Sequence, residues 1–493
     1  MYSMKDYILL LPVLFPIISA LFTLIIKKQF SDRSFREKYV FATLVLTLLF
    51  TICTLVKGGE VVLCNLTENL PIKLKVDEMT YLFNMLVSVM WLFSGFYSFE
   101  YMKHEENNES YYLFYLLTEG VLLALGMAAN FMTLYLFYEF MTFLSLPLAL
   151  HTRTKEAISG GLKYLFYSVF GASLALIGFF FMNYYGNIEF LAGGNLYPYL
   201  VSGNEELLKV IFFLTILGFS AKAGMFPLHG WLIAAHPVAP APASAVLSGV
   251  ITKAGVLAII RVIYYQVGVN FLRGTWVQYA FMTLTLITIF MGSMMAYKEN
   301  LFKRRLAYSS VSQVSYALLG LSTMHPIGFV GALLQVVFHS VTKNMLFMCA
   351  GAVIYKTHKT FVDELKGIGK NMPITMWCFT IGALALVGIP PMSGFVSKWF
   401  LAQGVINTNI PIYNYLGPIV LLCSAFLTAG YLITVSISAF IPGSDFKYED
   451  VQKQDPNFFM LIPLIILAVL CVVLGAYPTP LINFFASIAN LIM

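Results

Sequence analysis

Five lysines of this 493-residue chain, Lys163, Lys222, Lys253, Lys343 and Lys398, fall inside long apolar runs, as do two glutamates, Glu119 and Glu139. Three histidines, His229, His236 and His339, lie in or beside the same runs. A charge at the centre of a bilayer costs roughly 2.5–3.5 kcal/mol on insertion scales. Five such lysines are a heavy load for a chain that makes no use of them. Desolvation penalises an ammonium, so a buried lysine releases its proton more readily than an exposed one. A nearby carboxylate does the opposite and holds the charge. At an effective dielectric of about 20, a unit charge at about 4 Å is worth about 4 kcal/mol, so an ion pair that forms and breaks is a switch. Imidazole titrates near neutrality unaided. The chemistry these residues support is proton relay.

Each residue also has a bland explanation. Lys163 stands about five residues into its run, where a long side chain can snorkel to the interface. Lys398 stands late in its run and could do the same on the other side. Lys222, Lys253 and Lys343 are too deep for that. Glu139, in Tyr135-Leu-Phe-Tyr-Glu-Phe-Met141, is equally deep, with a structural salt bridge as the alternative. Glu119 could serve as a structural hydrogen-bond partner, and the histidines as satisfied core residues. His236, directly before Pro237, could be a polar turn residue.

The surrounding elements follow from composition. The chain is 59% hydrophobic and 11% charged, with mean hydropathy +0.80; soluble domains are about 25% charged. An ordinary cytosolic enzyme, a disordered chain and a nucleic-acid binder are excluded. The six cysteines stand singly, so clustered thiolates for zinc or iron–sulfur are absent, and no GxGxxG or GxxxxGK[ST] loop supports nucleotide binding. Neither cofactor nor metal is expected. The apolar segment 8–26 is too long for a signal-peptide core and reads as a spanning helix.

About 20 apolar residues cross a bilayer, and the runs predict about fourteen spans: 8–26, 38–56, 79–99, 111–129, 131–150, 158–182, 207–235, 241–263, 275–297, 304–323, 328–355, 374–402, 413–440 and 458–488. With both termini outside, eighteen Lys and Arg fall in inside loops and seven in outside segments, Arg261 among the seven. That is the asymmetry of the positive-inside rule. The expected class is an all-α polytopic membrane protein. It divides into an N-terminal three-helix segment (1–110), two five-helix units (111–264 and 275–440) and a C-terminal helix (441–493).

Two spans are interrupted beside a lysine: Lys222-Ala-Gly-Met-Phe-Pro227, and Gly388-Ile-Pro-Pro-Met-Ser-Gly394 before Lys398. Proline and glycine free backbone groups at membrane depth, tolerated only inside protein or along a wet cavity. Broken helices at matching places in two halves point to a transport site.

The stretch Ala235-His-Pro-Val-Ala-Pro-Ala-Pro-Ala-Ser-Ala-Val-Leu-Ser-Gly-Val-Ile-Thr-Lys253-Ala-Gly closely resembles the signature of the antiporter-like membrane subunits. These occur in respiratory complex I, energy-converting membrane-bound hydrogenases and Mrp-type sodium/proton antiporters. Tyr138-Glu139-Phe140, the Lys222…Pro227 break, His339-Ser-Val-Thr-Lys343 and Gly388-Ile-Pro-Pro-Met-Ser-Gly-Phe395 match as well. The resemblance implies fourteen helices with two inverted five-helix repeats, each with a broken helix. It also implies roles: Glu139 as the fifth-helix glutamate, Lys222 as its seventh-helix partner, Lys253 as the central lysine and Lys398 as the twelfth-helix exit residue. Complex I's middle antiporter-like subunit usually has glutamate at that last place. A chain ending at Met493 without a long lateral helix fits the D-type Mrp subunit or a hydrogenase subunit better than the distal complex I subunit.

The expected proton route runs from inside water to Lys222 and Lys253, along the midplane through His339 and Lys343, and out past Lys398. His229 and His236 load protons, Glu139 switches Lys222, and Ser, Thr and water fill the gaps. No residue transfers electrons, so the chain reads as a non-redox, ion-translocating subunit of a prokaryotic plasma-membrane translocase, with other membrane and hydrophilic subunits as partners. Two other readings stay open: a D-type subunit of an Mrp Na⁺/H⁺ antiporter without redox partners, and a scaffold whose buried charges only lock helices together.

Overall fold

Backbone amides within a bilayer must find partners inside their own segment, so apolar runs of spanning length close into helices. The computed structural model describes residues 6–68, 70–443 and 453–493 and is almost entirely helical. Lys5 and Lys447, two of the counted loop charges, lie outside the described residues. Among those residues ten helices are long and apolar enough to cross a membrane, and two shorter apolar helices, Pro373–Val387 and Thr479–Ile492, accompany them. The molecule is a multi-pass membrane protein.

In chain order the helices that matter here are α1 (Leu11–Ile25), α2 (Arg33–Lys57), α3 (Glu78–Tyr101), α4 (Asn108–Gly126), α5 (Phe131–Ala149), α6 (Lys155–Tyr185), α7 (Glu205–Ala223) and α8 (Gly230–Ala235). They continue as α9 (Ala241–Val246), α10 (Thr252–Ile260), α11 (Trp276–Lys298), α12 (Phe302–Ser322), α13 (Pro326–Thr357), α14 (Pro373–Val387), α15 (Ser393–Ile406), α16 (Tyr413–Phe440), α17 (Phe458–Ala476) and α18 (Thr479–Ile492). The two most enclosed segments are 241–267, whose apolar window is wholly buried, and α13, whose window is 89% buried. The lysines Lys253 and Lys343 therefore sit on the innermost helices.

Both expected breaks are present. The first separates α7 from α8 at Gly224, the second α14 from α15 at Gly388, each glycine left-handed with φ of 79° and 89°. A side chain would strain such a backbone, and the prolines that follow cannot continue the helix. Two features departed from expectation. The span read as 241–263 is not a plain helix: α9 and α10 are joined by a π-helical turn, Leu247–Ile251, and α10 runs into another, Arg261–Val267. Such turns carry no composition signal, and they are frequent at functional sites. The segment read as a loop between the second and third spans is an antiparallel hairpin, β1 (Gly59–Thr67) with β2 (Leu70–Val76).

Not every charge expected in a loop is exposed. Arg261 is 1% exposed and pairs bidentately with Asp77, at 2.6 and 2.9 Å. Its guanidinium also lies against the rings of Tyr265 (4.8 Å) and Phe190 (5.2 Å). Arg261 stands near a span end, so its sequence position does not reveal its burial.

Candidate functional site

Lys222 occupies the last turn of α7, immediately before the break, and its ammonium is fully buried. Its Nζ donates to Ser168 Oγ (2.8 Å), Thr142 Oγ1 (2.9 Å) and Tyr164 Oη (3.0 Å). Three N–H donors thus meet three hydroxyl oxygens. The rings of Tyr164, Tyr138 and Trp231 stand 4.3, 5.7 and 5.9 Å from the nitrogen, within cation–π range. Trp231 Nε1 donates to Ala221 O at 2.7 Å and so staples α8 to α7 across the break. Glu139 is half-buried on α5 and makes no ion pair with Lys222 within 4.0 Å among the described residues. The direct contacts of Lys222 are hydroxyls that nothing in their own segments singles out.

Helix α10 lies hard against α7 at this level: a Cβ on Gly255 would come within 2.8 Å of Ala223 N and Phe219 O. Lys253, two residues earlier, is the centre of a second cluster. Its Nζ lies 2.7 Å from His339 Nδ1, 2.6 Å from Ser248 O and 3.4 Å from Thr252 Oγ1. Ser248 belongs to the π turn, so the irregular backbone supplies a polar wall for the lysine. His339 and Lys343 share one face of α13, four residues apart, and Lys343 Nζ donates to Leu306 O at 2.9 Å and to Ser309 Oγ. Ser309 neighbours Ser310, whose hydroxyl meets Ser248 Oγ at 2.7 Å. Lys253, His339 and Lys343 are thereby tied into one buried polar patch across α10, α12 and α13.

Lys398 is set on α15 directly after the second break. Its Nζ donates to Leu386 O and Val387 O, the latter at 2.8 Å, carbonyls that end α14 without helical partners. A cation also suits a helix C-terminus electrostatically. Lys398→Arg would keep that capping charge but cannot release a proton. If Lys398 is a carrier, the arginine variant assembles and loses translocation about 100-fold or more. Full transport by that variant in vesicles would reduce Lys398 to a cap.

Beside Lys303, at the start of α12, His236 is wholly buried, its ring 4.8 Å from Phe347, and neither ring nitrogen has a hydrogen-bond partner. Beside it opens a cavity of about 160 Å³ lined by Glu105, Lys303, Thr152 and Pro237 to Pro240. Lys303, counted as a loop charge, is 7% exposed and donates to Pro237 O at 3.2 Å and to Ala239 O. Burial pushes the Glu105 carboxyl above its ordinary range, and the Lys303 ammonium only partly offsets this. His229 is half-buried beside Phe226, its Nδ1 unpartnered. The structure does not join it to the lysine clusters.

Two residues stand apart. Lys163 is exposed on α6, as snorkelling requires. Glu119 is fully buried and neither carboxylate oxygen has a hydrogen-bond partner, so the structural bond envisaged for it is not formed.

With this geometry in hand, similarity to known proteins is decisive. Residues 128–428 match the family described as NADH:quinone oxidoreductase/Mrp antiporter, transmembrane. The chain belongs to that family. Hydrogenase-4 component B of Escherichia coli is 29% identical over 426 residues, covering 82% of this chain; the chain spans 62% of that relative's length. The D subunit of the Na⁺/H⁺ antiporter of Alkalihalophilus pseudofirmus is 27% identical over 493 residues, covering 99% of this chain and 97% of the relative. The structure of the membrane-bound sulfane sulfur reductase, an archaeal respiratory membrane complex, contains a chain of the same fold, with TM-score 0.84, 24% identity and 98% and 97% of the two chains covered. The chain is an antiporter-like membrane subunit of the complex I, hydrogenase and Mrp family. Its matched region contains every site residue named above except Glu105 and Glu119.

Proposed function

We propose that this chain is the proton-translocating subunit of a redox-driven membrane complex related to complex I or to an energy-converting hydrogenase. The observation that carries the proposal is the buried patch in which Lys253 Nζ lies 2.7 Å from His339 Nδ1 while Lys343 stands one turn along the same helix. A lysine and an imidazole at that distance share one proton more readily than they hold two, since two positive charges repel in a low-dielectric interior. A proton arriving at Lys253 therefore favours release from its neighbour. Lys222, Glu139, Lys253, His339, Lys343 and Lys398 are the relay. His236, beside the Glu105–Lys303 cavity, loads it, with His229 as a second donor. On this reading the chain has fourteen spans in two inverted five-helix repeats, and both termini face outside. Cysteine labelling that reached 298–305 and the C-terminus from the same side would overturn that topology.

Coverage of nearly the whole length of the antiporter's D subunit favours a second reading, an Mrp-type Na⁺/H⁺ antiporter component without redox partners. Copurification of the assembled complex followed by iron analysis separates the two. Hydrophilic partners carrying bound iron support the redox reading. Small membrane subunits alone, with translocation driven by a sodium pulse, would replace it by the second.

A further inference from the structure

Arg261 is neutralised by Asp77; Arg273, in the turn before α11, has no such partner. Among the described residues no carboxylate lies within 4.0 Å of it. Its Nε and Nη2 donate to Met324 O at 3.1 and 2.7 Å, and no protein acceptor meets its Nη1. Arg273 borders a cavity of about 510 Å³, lined also by Gln278, His325, Asn407, Thr408 and Asn490 and, among the described residues, by no acidic side chain. The cavity lies at the end of α12 opposite Lys303. His325 caps α13, its Nδ1 accepting from Ile327 N at 3.3 Å. Burial, and then the Arg273 guanidinium, lower the pKa of this imidazole. At neutral pH the ring is therefore uncharged, with its one proton on Nε2. Gln278 braces both residues: its Oε1 accepts from Gly274 N at 2.8 Å, and its Nε2 donates to Ser322 O and Thr323 O at 3.1 and 2.9 Å. Two donors, one of them charged, are thus held in place at one cavity.

We propose that this cavity binds the phosphate of an anionic phospholipid headgroup, with Arg273 as the charged donor and His325 Nε2–H as the neutral one. A guanidinium fork matches phosphate oxygens better than any other side chain, and an unpaired cation calls for an anion. A zwitterionic headgroup fits less well, since no carboxylate lines the cavity to meet its ammonium. The volume lies within the roughly 300–1,000 Å³ of small-molecule sites. The level in the bilayer is that of a headgroup. Trp276 and Tyr279, at the start of α11, and Tyr415, at the start of α16, are all exposed, and such aromatic belts mark the boundary between membrane and water. Exposed apolar side chains adjoin the lining: Ile406 directly before Asn407, and Leu491 directly after Asn490. They offer acyl chains a surface for which a free phosphate has no use. Asn407, Thr408 and Asn490 remain for the hydroxyls of the headgroup. On the orientation proposed above, this is the outer leaflet. Once occupied, the site ties the turn before α13, the helix of His339 and Lys343, to the ends of α15 and α18.

The test titrates the purified, delipidated complex with phosphatidylglycerol, with diacylglycerol of the same chains and with inorganic phosphate, following thermal unfolding. A ligand of the folded state raises the midpoint in proportion to its occupancy. Phosphatidylglycerol is expected to raise it in the wild type. The concentration for half the effect should be about tenfold or more higher in Arg273→Gln, which removes a charge-assisted hydrogen bond. It should be about threefold higher in His325→Asn, whose Oδ1 still caps Ile327 N while the Nε2–H is gone. No response of the wild type would overturn the site, as would unchanged affinity in Arg273→Gln. Equal protection by diacylglycerol would mean that the chains bind without the phosphate. Equal protection by inorganic phosphate would mean a free-anion site. Either result overturns the proposal. Loss of another subunit from the Arg273→Gln complex with the lipid response intact would make the cavity a partner's seat and overturn it too. Should Arg273→Gln fail to assemble, Arg273→Lys, which keeps the charge and loses the fork, and His325→Asn decide: weaker phosphatidylglycerol binding in both supports the site, and unchanged binding in either overturns it.

Discussion

Lys222→Met is expected to leave an assembled complex that translocates protons at least about 100-fold more slowly, the lower range for loss of a positioned proton-transfer group. Methionine keeps most of the side-chain volume, and near-isosteric changes in a core usually cost under about 1.5 kcal/mol. Two of the three hydroxyls it abandons keep a partner: Tyr164 Oη still meets Ser145 Oγ at 2.6 Å, and Thr142 Oγ1 still donates to Tyr138 O at 3.2 Å, while Ser168 Oγ loses its bond to Lys222. What disappears is the one nitrogen that can hold and release a proton inside the cage of Thr142, Tyr164 and Ser168. Glu139→Gln, which removes the carboxylate charge on α5, is expected to have the same phenotype. Complex content in the membrane and dye-reported proton uptake are measured together. Loss of assembly with normal transport per complex would favour the scaffold reading, and normal transport in an assembled variant would end the relay mechanism.

Asp77→Ala is expected to be the most destabilising single change outside the relay. Asp77 has two duties. Its carboxylate caps α3, accepting from Thr80 N at 3.0 Å, and it neutralises the buried Arg261. Removing one partner of a buried pair costs about 3–5 kcal/mol, and losing a cap costs about 1 kcal/mol more. Burial alone would raise the Asp77 carboxyl, but the Arg261 guanidinium outweighs it and holds the group below the ordinary carboxylate range. A lowered folded-state value means that the stabilisation is complete above the unfolded pKa, near 3.9. It is lost only as pH falls through the lower folded value. Thermal unfolding of the solubilised complex should therefore be insensitive to this pair between about pH 5 and 8 and should fall sharply in Asp77→Ala. The double variant Asp77→Asn/Arg261→Met, which leaves no unpaired charge, should recover most of the loss. A double variant as unstable as Asp77→Ala would refute the account.

Much of this molecule is legible in one dimension because the bilayer imposes a one-dimensional rule. Apolar length, and the absence of water to satisfy stray backbone groups, determine that the chain is helical and multi-pass. The same rule makes each buried lysine conspicuous, so Lys222, Lys253, Lys343 and Lys398 stand out with no structure at all. Gly224 and Gly388 mark the helix breaks because left-handed backbone is a local property of glycine. Polar residues without charge escape that rule. The serines and the single glutamine of α12 read only as a weakly apolar span, and the hairpin's first strand is exposed along most of its length, so it shows no alternation of buried and exposed residues.

Which groups meet is another matter. Lys253 and His339 are 86 residues apart, Lys222 and Thr142 80, Arg261 and Asp77 184. Such pairs follow from how helices cross, and crossing depends on packing across the whole bundle, not on the residues beside each lysine. The sequence by itself determined a membrane chain with buried, titratable lysines at two helix breaks. Only the tertiary structure decided that Lys222 rests on three hydroxyls and not on Glu139, that Arg261 and Lys303 are buried, and that Lys253 meets His339. A hydroxyl costs little to bury and leaves no mark until its partner, from a distant segment, is brought within about 3 Å.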